Sequence, residues 1–440
     1  MAILFAQRIR AYAERKCPMS TFPAGTGEKM QYLVHECNDN TMRFILRYPG
    51  RIDADILRRA VHAVVMSVDV LHASFDPGVL RACWHCHDKL DEQDYFCLIP
   101  HADDPAEEAI RQSLLPVLPQ GNAQLHCCLV QGDIVSAVAI RMSHLCMDGS
   151  DARYLLGKLA EAYALIRKSG SAEGLHIKNG SRAPEQLYQS MSKEEMRSLL
   201  KSPATGIKSP YPYPTEEAGT PQMVHRTIPS GVMDAARRRA KAGGATANDL
   251  LLSACYHAYA HTPGVDASAP LSVMSMMDLR RHCPTGDSEG LSNLSGALPT
   301  ALPNGLPEDF EALLADIAQQ TQHEKNDPHA GLVGIPLIHK ATRTAPLRLL
   351  TRMAGGIYGS VGIGLTNLGN IRCEALALDG LTPTDGWFGG PLKKKPHMQV
   401  SAASFDGACT LTVAGQYTQE DAQSLQDFLE RMAQAVEAFA

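Results

Sequence analysis

The sequence predicts a layered α/β fold of the α+β kind, built from two lobes that pack against each other. Three observations support this prediction. Strand-like and helix-like segments alternate irregularly, hairpins occur among longer crossovers, and 440 residues are too many for a single hydrophobic core of ordinary size. The irregular order argues against a regular (β/α)₈ barrel, because such a barrel repeats one strand and one helix eight times.

The first lobe is expected to span residues 1–175. Its early segments carry apolar residues at the spacing of strands or helices. They are predicted strands at 41–48, 79–86 and 95–99 and predicted helices at 53–68 and 106–115.

A β-hairpin is predicted near the end of this lobe. Residues 124–130 and 134–142 are rich in apolar strand formers, and Gly132 and Asp133 between them favour a tight turn. A helix is expected over 151–167, with Ser150 as its N-cap.

A crossover linker is expected at 176–222, where Gly, Ser and Pro become frequent and where one helix, 193–201, is predicted. The second lobe would then span 223–440. Its predicted strands are 224–228, 271–276, 293–302, 361–367, 397–404 and 410–415, and its predicted helices begin at 231, 247, 307 and 418.

Composition and charge exclude several classes of function. The net charge is −6 and the pI is near 6.3, so a nucleic acid partner is not expected. We find no apolar run long enough to span a membrane and no secretory signal, and residues 1–16 are interpreted as a terminal surface helix. Twelve dispersed cysteines are too few for a disulfide scaffold, which favours a reducing cytoplasm.

The segment most suggestive of chemistry is 143–149, Ser-His-Leu-Cys-Met-Asp-Gly, at the end of the predicted hairpin. His144 follows a strand directly, a place where a side chain is rigidly held and can face a cleft. Its ordinary pKa suits a general base near neutral pH. Gly149 would permit a positive φ, and Asp148 would need a buried partner. From spacing alone, a structural histidine followed by a simple turn is the favoured explanation of the segment.

This segment resembles the His-His-x-x-x-Asp-Gly signature of the chloramphenicol acetyltransferase-like superfamily. That superfamily includes peptide-synthetase condensation domains and standalone polyketide-associated acyltransferases. The second histidine of the signature corresponds to His144, and Ser143 replaces the first. The replacement argues against the peptide-bond-forming condensation domains in particular.

Four further segments resemble parts of the same family in the same order. They are Asp-Val-Leu-His-Ala-Ser-Phe at 69–75, which lacks the expected Arg, Ala-Thr-Ala-Asn-Asp-Leu-Leu-Leu at 245–252, Met-Asp-Leu-Arg-Arg at 277–281 and Leu-Thr-Asn-Leu-Gly at 365–369. Each is weak singly, but their order and separations together are fairly specific.

The resemblance implies two chloramphenicol acetyltransferase-like lobes in a V, with a tunnel between them and His144 midway. A pantetheine thioester, either acyl-CoA or an acyl-carrier protein acting in trans, would donate the acyl group to a small-molecule amine or hydroxyl. Neither a tightly bound cofactor nor a metal is needed, because a thioester is already activated. The alternative is a non-catalytic condensation-like domain that docks a carrier protein or another partner.

The resemblance also implies roles for residues at the site. His144 would be the general base. Asp148 would point away and fix the loop together with Gly149 by pairing with an arginine, for which Arg280 is the first candidate and Arg281 the second. Possible contacts to the substrate or the developing oxyanion are Ser143, Thr366 and Asn367.

Three other patterns are interpreted as structural. Residues 83–87, Cys-Trp-His-Cys-His, match a haem-attachment pattern but lie in a strand-like run, and no second ligand pair completes a zinc set. Lys393, Lys394 and Lys395 would either contact phosphates of coenzyme A or an acidic carrier or lie in a solvated loop. Asp406 and Gly407 fit a hairpin turn.

Overall fold

A computed structural model describes residues 21–440 apart from 80, 118, 190, 202–205, 284–289 and 359–361. The helix predicted at 1–16 lies outside the described residues. Within them, no helix is long and apolar enough to cross a bilayer.

The framework consists of β-strands and α-helices. The strands are β1 (Thr21–Pro23), β2 (Thr41–Tyr48), β3 (Ala73–Asp76), β4 (Cys83–Cys86), β5 (Phe96–Ile99), β6 (Leu125–Gln131), β7 (Ser136–Ser143), β8 (Thr220–Ile228), β9 (Leu271–Asp278), β10 (Ser295–Leu302), β11 (Ile363–Ile371), β12 (Asp385–Gly389), β13 (Met398–Phe405) and β14 (Ala408–Tyr417). The helices are α1 (Thr26–Leu33), α2 (Ala54–Met66), α3 (Glu92–Tyr95), α4 (Pro105–Ser113), α5 (Gly149–Ser169), α6 (Lys193–Ser198), α7 (Ser230–Ala242), α8 (Ala247–Ala260), α9 (Phe310–Asn326), α10 (Ile335–Thr344), α11 (Leu347–Tyr358) and α12 (Gln419–Phe439).

A five-stranded sheet of order β12-β2-β7-β6-β5 forms the first half of the molecule. Its strands pair antiparallel except for β5 and β6, which are parallel. Helices α2 and α5 contribute to the large core on one face, and α4 packs with a smaller apolar cluster that includes Ile45 and Ala139 on the other. The sheet is therefore enclosed between helical layers, as a layered fold requires.

A six-stranded sheet of order β10-β9-β11-β13-β14-β8 forms the second half. Strand β11 runs parallel to both β9 and β13, while the other neighbours are antiparallel. Helices α7, α8, α9 and α12 share one core with the apolar residues of this sheet. A mixed sheet covered by helices confirms the predicted α/β layering.

Strand β12 connects the two halves. It belongs to the predicted second lobe, which begins after residue 222, yet it pairs with β2 of the predicted first lobe. Phe388 on β12 stacks on Phe44 on β2 with ring centroids 5.0 Å apart. Trp387 of the same strand donates its Nε1–H to Nδ1 of His225 on β8. The lobe boundaries at 175 and 222 stay predictions, but this strand crosses between the regions that they divide.

Several predicted elements are confirmed by the structure. The strand 41–48 has the predicted bounds, and β6–β7 and β13–β14 are antiparallel neighbours in sequence, as the two turn signals predicted. Strand β12 was not predicted. Neither was the disulfide that joins Cys97 on β5 to Cys128 on β6, which are register partners.

Candidate active site

His144 lies in a short loop that connects the end of β7 to the start of α5. Its backbone N–H donates to the carbonyl oxygen of Asn40 at 2.7 Å. Its ring nitrogen Nδ1 lies 2.9 Å from the carbonyl oxygen of Met147, which can only accept a hydrogen bond. The proton therefore sits on Nδ1, and Nε2 carries the lone pair that a general base needs.

The environment of His144 suits a base that is neutral at physiological pH. His144 is partly accessible to solvent, whereas residues 143 and 145–148 around it are buried. Burial lowers the pKa of His144, the carboxylate of Asp148 opposes this effect, and the ammonium of Lys393 adds to it. The residue as a whole is thus partly accessible, and burial is the largest influence on the pKa of its ring.

Asp148 begins α5. Its Oδ1 accepts hydrogen bonds from the backbone N–H of Ser150 at 2.9 Å and of Asp151 at 3.0 Å, so Asp148 is the N-cap. The prediction that Ser150 caps this helix is wrong, because the helix starts two residues earlier than the periodicity indicated. The Ser150 hydroxyl instead donates to Asp278 at 2.7 Å.

Arg280 fixes the loop from the second half of the chain. Its Nη1 lies 2.9 Å from Oδ2 of Asp148, and its Nη2 lies 2.6 Å from Oδ1 of Asp151. Arg281, the second candidate, donates instead to the carbonyl oxygen of Lys325. The structure therefore brings Asp148 and Arg280 together and leaves Arg281 apart from them.

Asp148, Asp151 and Arg280 form one cluster, and the charges of its members depend on one another. Burial and the neighbouring Asp148 raise the pKa of Asp151, and Arg280 opposes the rise. Burial lowers the pKa of the Arg280 guanidinium, but Asp148 and Asp151 raise it, and the net shift is upward. Because all three side chains are at most 14% exposed, removing one would leave a poorly solvated charge.

Asn293 is a residue at this site that the sequence did not reveal. Its Nδ2 donates to the carbonyl oxygens of His144 at 2.9 Å and Leu145 at 2.8 Å. Its backbone N–H donates to Asp151 at 2.9 Å, and its φ is +52°. The sequence predicted Asn293 as the first residue of a strand, whereas β10 begins at Ser295. An Asn beside an apolar run was the only signal. Asn tolerates this left-handed conformation better than most residues.

Gly149 has a different role from the one predicted. It is the first residue of α5 and is not among the glycines with positive φ. A Cβ at this position would lie 2.4 Å from Cδ2 of Leu368, and Arg153 on the same helix donates to the Leu368 carbonyl oxygen at 2.8 Å. The glycine therefore permits close approach of the loop after β7 to β11.

The remaining candidate contacts differ in position. Ser143 is fully buried, and its hydroxyl has no hydrogen-bond partner among the described residues. Its contact with a substrate stays a prediction. Thr366 and Asn367 are partly exposed on β11. Oδ1 of Asn367 accepts from the N–H of Gly369 at 2.9 Å, which caps the local turn.

The three successive lysines do not form one solvated patch. Lys393 is 5% exposed, and Lys395 lies 2.5 Å from the carboxylate of Asp421. Lys394 is exposed. The interpretation of this segment as a solvated loop is therefore wrong for Lys393 and Lys395.

Comparison with known proteins places the fold. Neither a protein-family model nor a curated protein matches the chain. Among solved structures, polyketide synthase associated protein 5 from Mycobacterium tuberculosis matches with a TM-score of 0.65 and 15% identity over 96% of this chain and 100% of that chain. Trichothecene 15-O-acetyltransferase from Fusarium sporotrichioides matches with a TM-score of 0.69 and 12% identity over 95% of this chain and 96% of that chain.

A third match is the starter condensation domain of rhizomide synthetase, solved as a mutant in complex with C8-CoA and Leu-SNAC. Its TM-score is 0.65 at 14% identity, over 94% of this chain and 94% of that chain. Further matches are also condensation domains. The chain thus shares the fold of these condensation domains and of the 15-O-acetyltransferase.

Proposed function

We propose that this chain transfers an acyl group from a pantetheine thioester to an amine or hydroxyl acceptor, with His144 as the general base. One observation carries the proposal. The Met147 carbonyl oxygen holds the Nδ1 proton of His144, so that Nε2 carries the lone pair that can accept a proton. The thioester is either acyl-CoA or an acyl-carrier protein in trans.

The proposed reaction balances with one base and no other catalyst. The acceptor gives its proton to Nε2 of His144 while its nitrogen or oxygen attacks the thioester carbonyl carbon. When the carbon–sulfur bond breaks, the leaving thiolate takes the same proton back from Nε2. Thr366 and Asn367 are the proposed contacts for the oxyanion or the acceptor, because they lie beside Leu368, which approaches Gly149 closely.

The rigid surroundings of His144 support this proposal. Asp148, Asp151 and Arg280 join the loop to the second half of the chain, and Asn293 holds two of its carbonyl groups. A base held by such contacts needs little reorganisation when the acceptor arrives. We propose that the V-shaped arrangement and its tunnel give both substrates access to His144. The thioesters named for the rhizomide synthetase domain agree with this donor class.

The alternative proposal is a non-catalytic domain that docks a carrier protein, and the replacement of the first signature histidine by Ser143 favours it. A panel of acyl-CoA and acyl-carrier donors, each with amines and alcohols, separates the two functions when thiol release is measured. The acyltransferase releases thiol in proportion to acceptor. A docking domain binds the carrier and releases none.

His144→Ala tests the assigned base. We expect turnover to fall by about 10²–10⁴, the usual contribution of a general base, with little change in the unfolding midpoint. His101→Ala is the matched control, because this imidazole is 64% exposed and pairs only with surface carboxylates in the described structure. Equal turnover in His144→Ala and wild type would refute the assignment.

A further inference from the structure

A second group of side chains, remote from the loop of His144 in the chain, has the chemistry of a metal site. It lies on the three-stranded sheet of order β1-β4-β3. One carboxylate oxygen of Asp76, the thiol of Cys83 and one ring nitrogen of His85 all lie within 4.8 Å of one another. From these contacts we propose that Asp76, Cys83 and His85 bind a divalent transition metal ion of the zinc class.

Strand pairing explains why these residues meet. Cys83 and His85 are two residues apart on β4, so their side chains share one face. Cys83 is also the register partner of Asp76 on β3. The other members of the Cys-Trp-His-Cys-His segment do not join them. Cys86 is buried in the core, and Nε2 of His87 hydrogen-bonds with the hydroxyl of Ser74 at 3.0 Å.

The distances match a tetrahedral ion. The Cys83 sulfur lies 3.5 Å from Nε2 of His85, and that nitrogen lies 3.6 Å from Oδ2 of Asp76. Zinc bonds of about 2.3 Å to sulfur and about 2.0–2.1 Å to nitrogen or oxygen, at a tetrahedral angle, separate the ligand atoms by about 3.4–3.6 Å. Two of the three donor pairs therefore already have the spacing that they would have around one ion, and the third pair lies within 4.8 Å.

Neighbouring groups orient two of the ligands. Nδ1 of His85 lies 3.3 Å from the Thr21 hydroxyl, its register neighbour on β1, and can donate its proton there while Nε2 faces the cluster. Oδ1 of Asp76 accepts from the N–H of Gly78 at 2.8 Å, while Oδ2 faces His85. A hydrogen bond to the second nitrogen of a ligating histidine is usual in zinc sites.

The site has three protein ligands and room for water. The side chains of Asp76 and His85 are 32% and 31% exposed, so solvent can supply a fourth ligand. Binding displaces the Cys83 proton into solvent, and affinity should therefore increase as pH rises. Since the ion would join β3 and β4 directly and β1 through Thr21, its expected effect is to stabilise this sheet.

Cobalt titration of the full chain, freed of metal by chelation and dialysis, tests the site. We expect one Co²⁺ per chain and a thiolate-to-cobalt charge-transfer band that zinc abolishes by displacement. Cys83→Ser should lose the band, His85→Gln and Asp76→Asn should weaken binding, and Thr21→Val should weaken it by about tenfold as an outer-shell change. Cys37→Ser is the control, because Cys37 is also a partly exposed free cysteine.

Two results would overturn the site. The first is folded wild-type protein that shows no thiolate band at saturating cobalt, and the second is a band that persists in Cys83→Ser. If that variant fails to fold, alkylation of the wild type decides the question. Zinc should slow modification of Cys83 but not of Cys37, and equal rates at both positions with and without zinc would contradict the proposal.

Discussion

The Asp148–Asp151–Arg280 cluster and the Asp76–Cys83–His85 cluster both gather side chains that titrate, but they are completed in different ways. In the first, the guanidinium of Arg280 supplies the positive charge between two carboxylates. In the second, three donor atoms of different chemistry converge at the spacing of metal ligands. A cluster that contains its own cation holds a loop in place, whereas one that presents three donors to a single point is suited to an ion.

The position of each cluster in the fold adds to the contrast. Arg280 reaches from the region after β9 to the start of α5, so it connects parts of the chain that are 132 residues apart. Asp76, Cys83 and His85 lie within one small sheet. The first cluster should therefore affect the stability of the whole molecule, and the second should act locally.

The largest expected effect of breaking the first cluster follows removal of Arg280. Arg280→Met would leave Asp148 and Asp151 buried without their cation, which should lower the free energy of unfolding by about 3–5 kcal/mol. Urea unfolding measures this loss, and transfer activity should fall with it because the His144 loop loses its anchor.

Arg281→Met is the matched control for that experiment. Arg281 is exposed and donates to a backbone carbonyl of Lys325. We expect a change within about 0.5 kcal/mol, as for most surface substitutions. Similar losses in the two variants would show that the ion pairs with Asp148 and Asp151 do not hold the loop.

A smaller effect is expected at the contact between the loop and β11. Gly149→Ala places a methyl group against Leu368, and overpacking of this kind costs about 1–3 kcal/mol. Gly157→Ala on the same helix meets open space and should stabilise the chain by about 0.5–1 kcal/mol. Thermal unfolding of both variants compares them, and a stabilising Gly149→Ala would contradict the close approach.

The smallest effect concerns independence of the two clusters. If each acts as described, zinc should raise the free energy of unfolding of wild type and of Arg280→Met by similar amounts. Distant sites without shared partners usually add to within about 0.3–0.5 kcal/mol. A calorimetric series with and without zinc measures this additivity, and a stabilisation that disappears in Arg280→Met would mean that the clusters are coupled.

Much of the local structure was predictable because it depends on neighbours in sequence. The hairpin of β6 and β7 follows from Gly132 and Asp133 between two apolar runs, and the cap of α12 follows from Thr418 with Asp421 three residues later. Strand β12 escaped detection because its sequence, Asp-Gly-Trp-Phe-Gly, is rich in glycine and becomes a strand through its pairing with β2.

The two sites were predictable only in part, because some of their residues meet through contacts between distant parts of the chain. The motif named His144, Asp148 and Gly149, and the resemblance named Arg280. Asn293 and Asp76 were missed because tertiary contacts and strand register, which single-sequence periodicity does not encode, bring them to their partners. The cap of α5 was misplaced at Ser150 because Asp148 and Gly149 were interpreted as a turn, whereas Asp148 caps the helix through the N–H groups of Ser150 and Asp151.

The central claim, that neutral His144 accepts the proton through Nε2, is tested most directly by comparing its titration with the rate of transfer. Because burial lowers its pKa, activity should persist below the ordinary histidine pKa of about 6.5 and fall as pH drops through the lower value. Nitrogen-15 NMR of the histidines, with His144→Ala to assign the signal, should show the proton on Nδ1 and a midpoint equal to the acid limb of kcat/KM. A proton on Nε2, or an acid limb that does not coincide with this titration, would contradict the account.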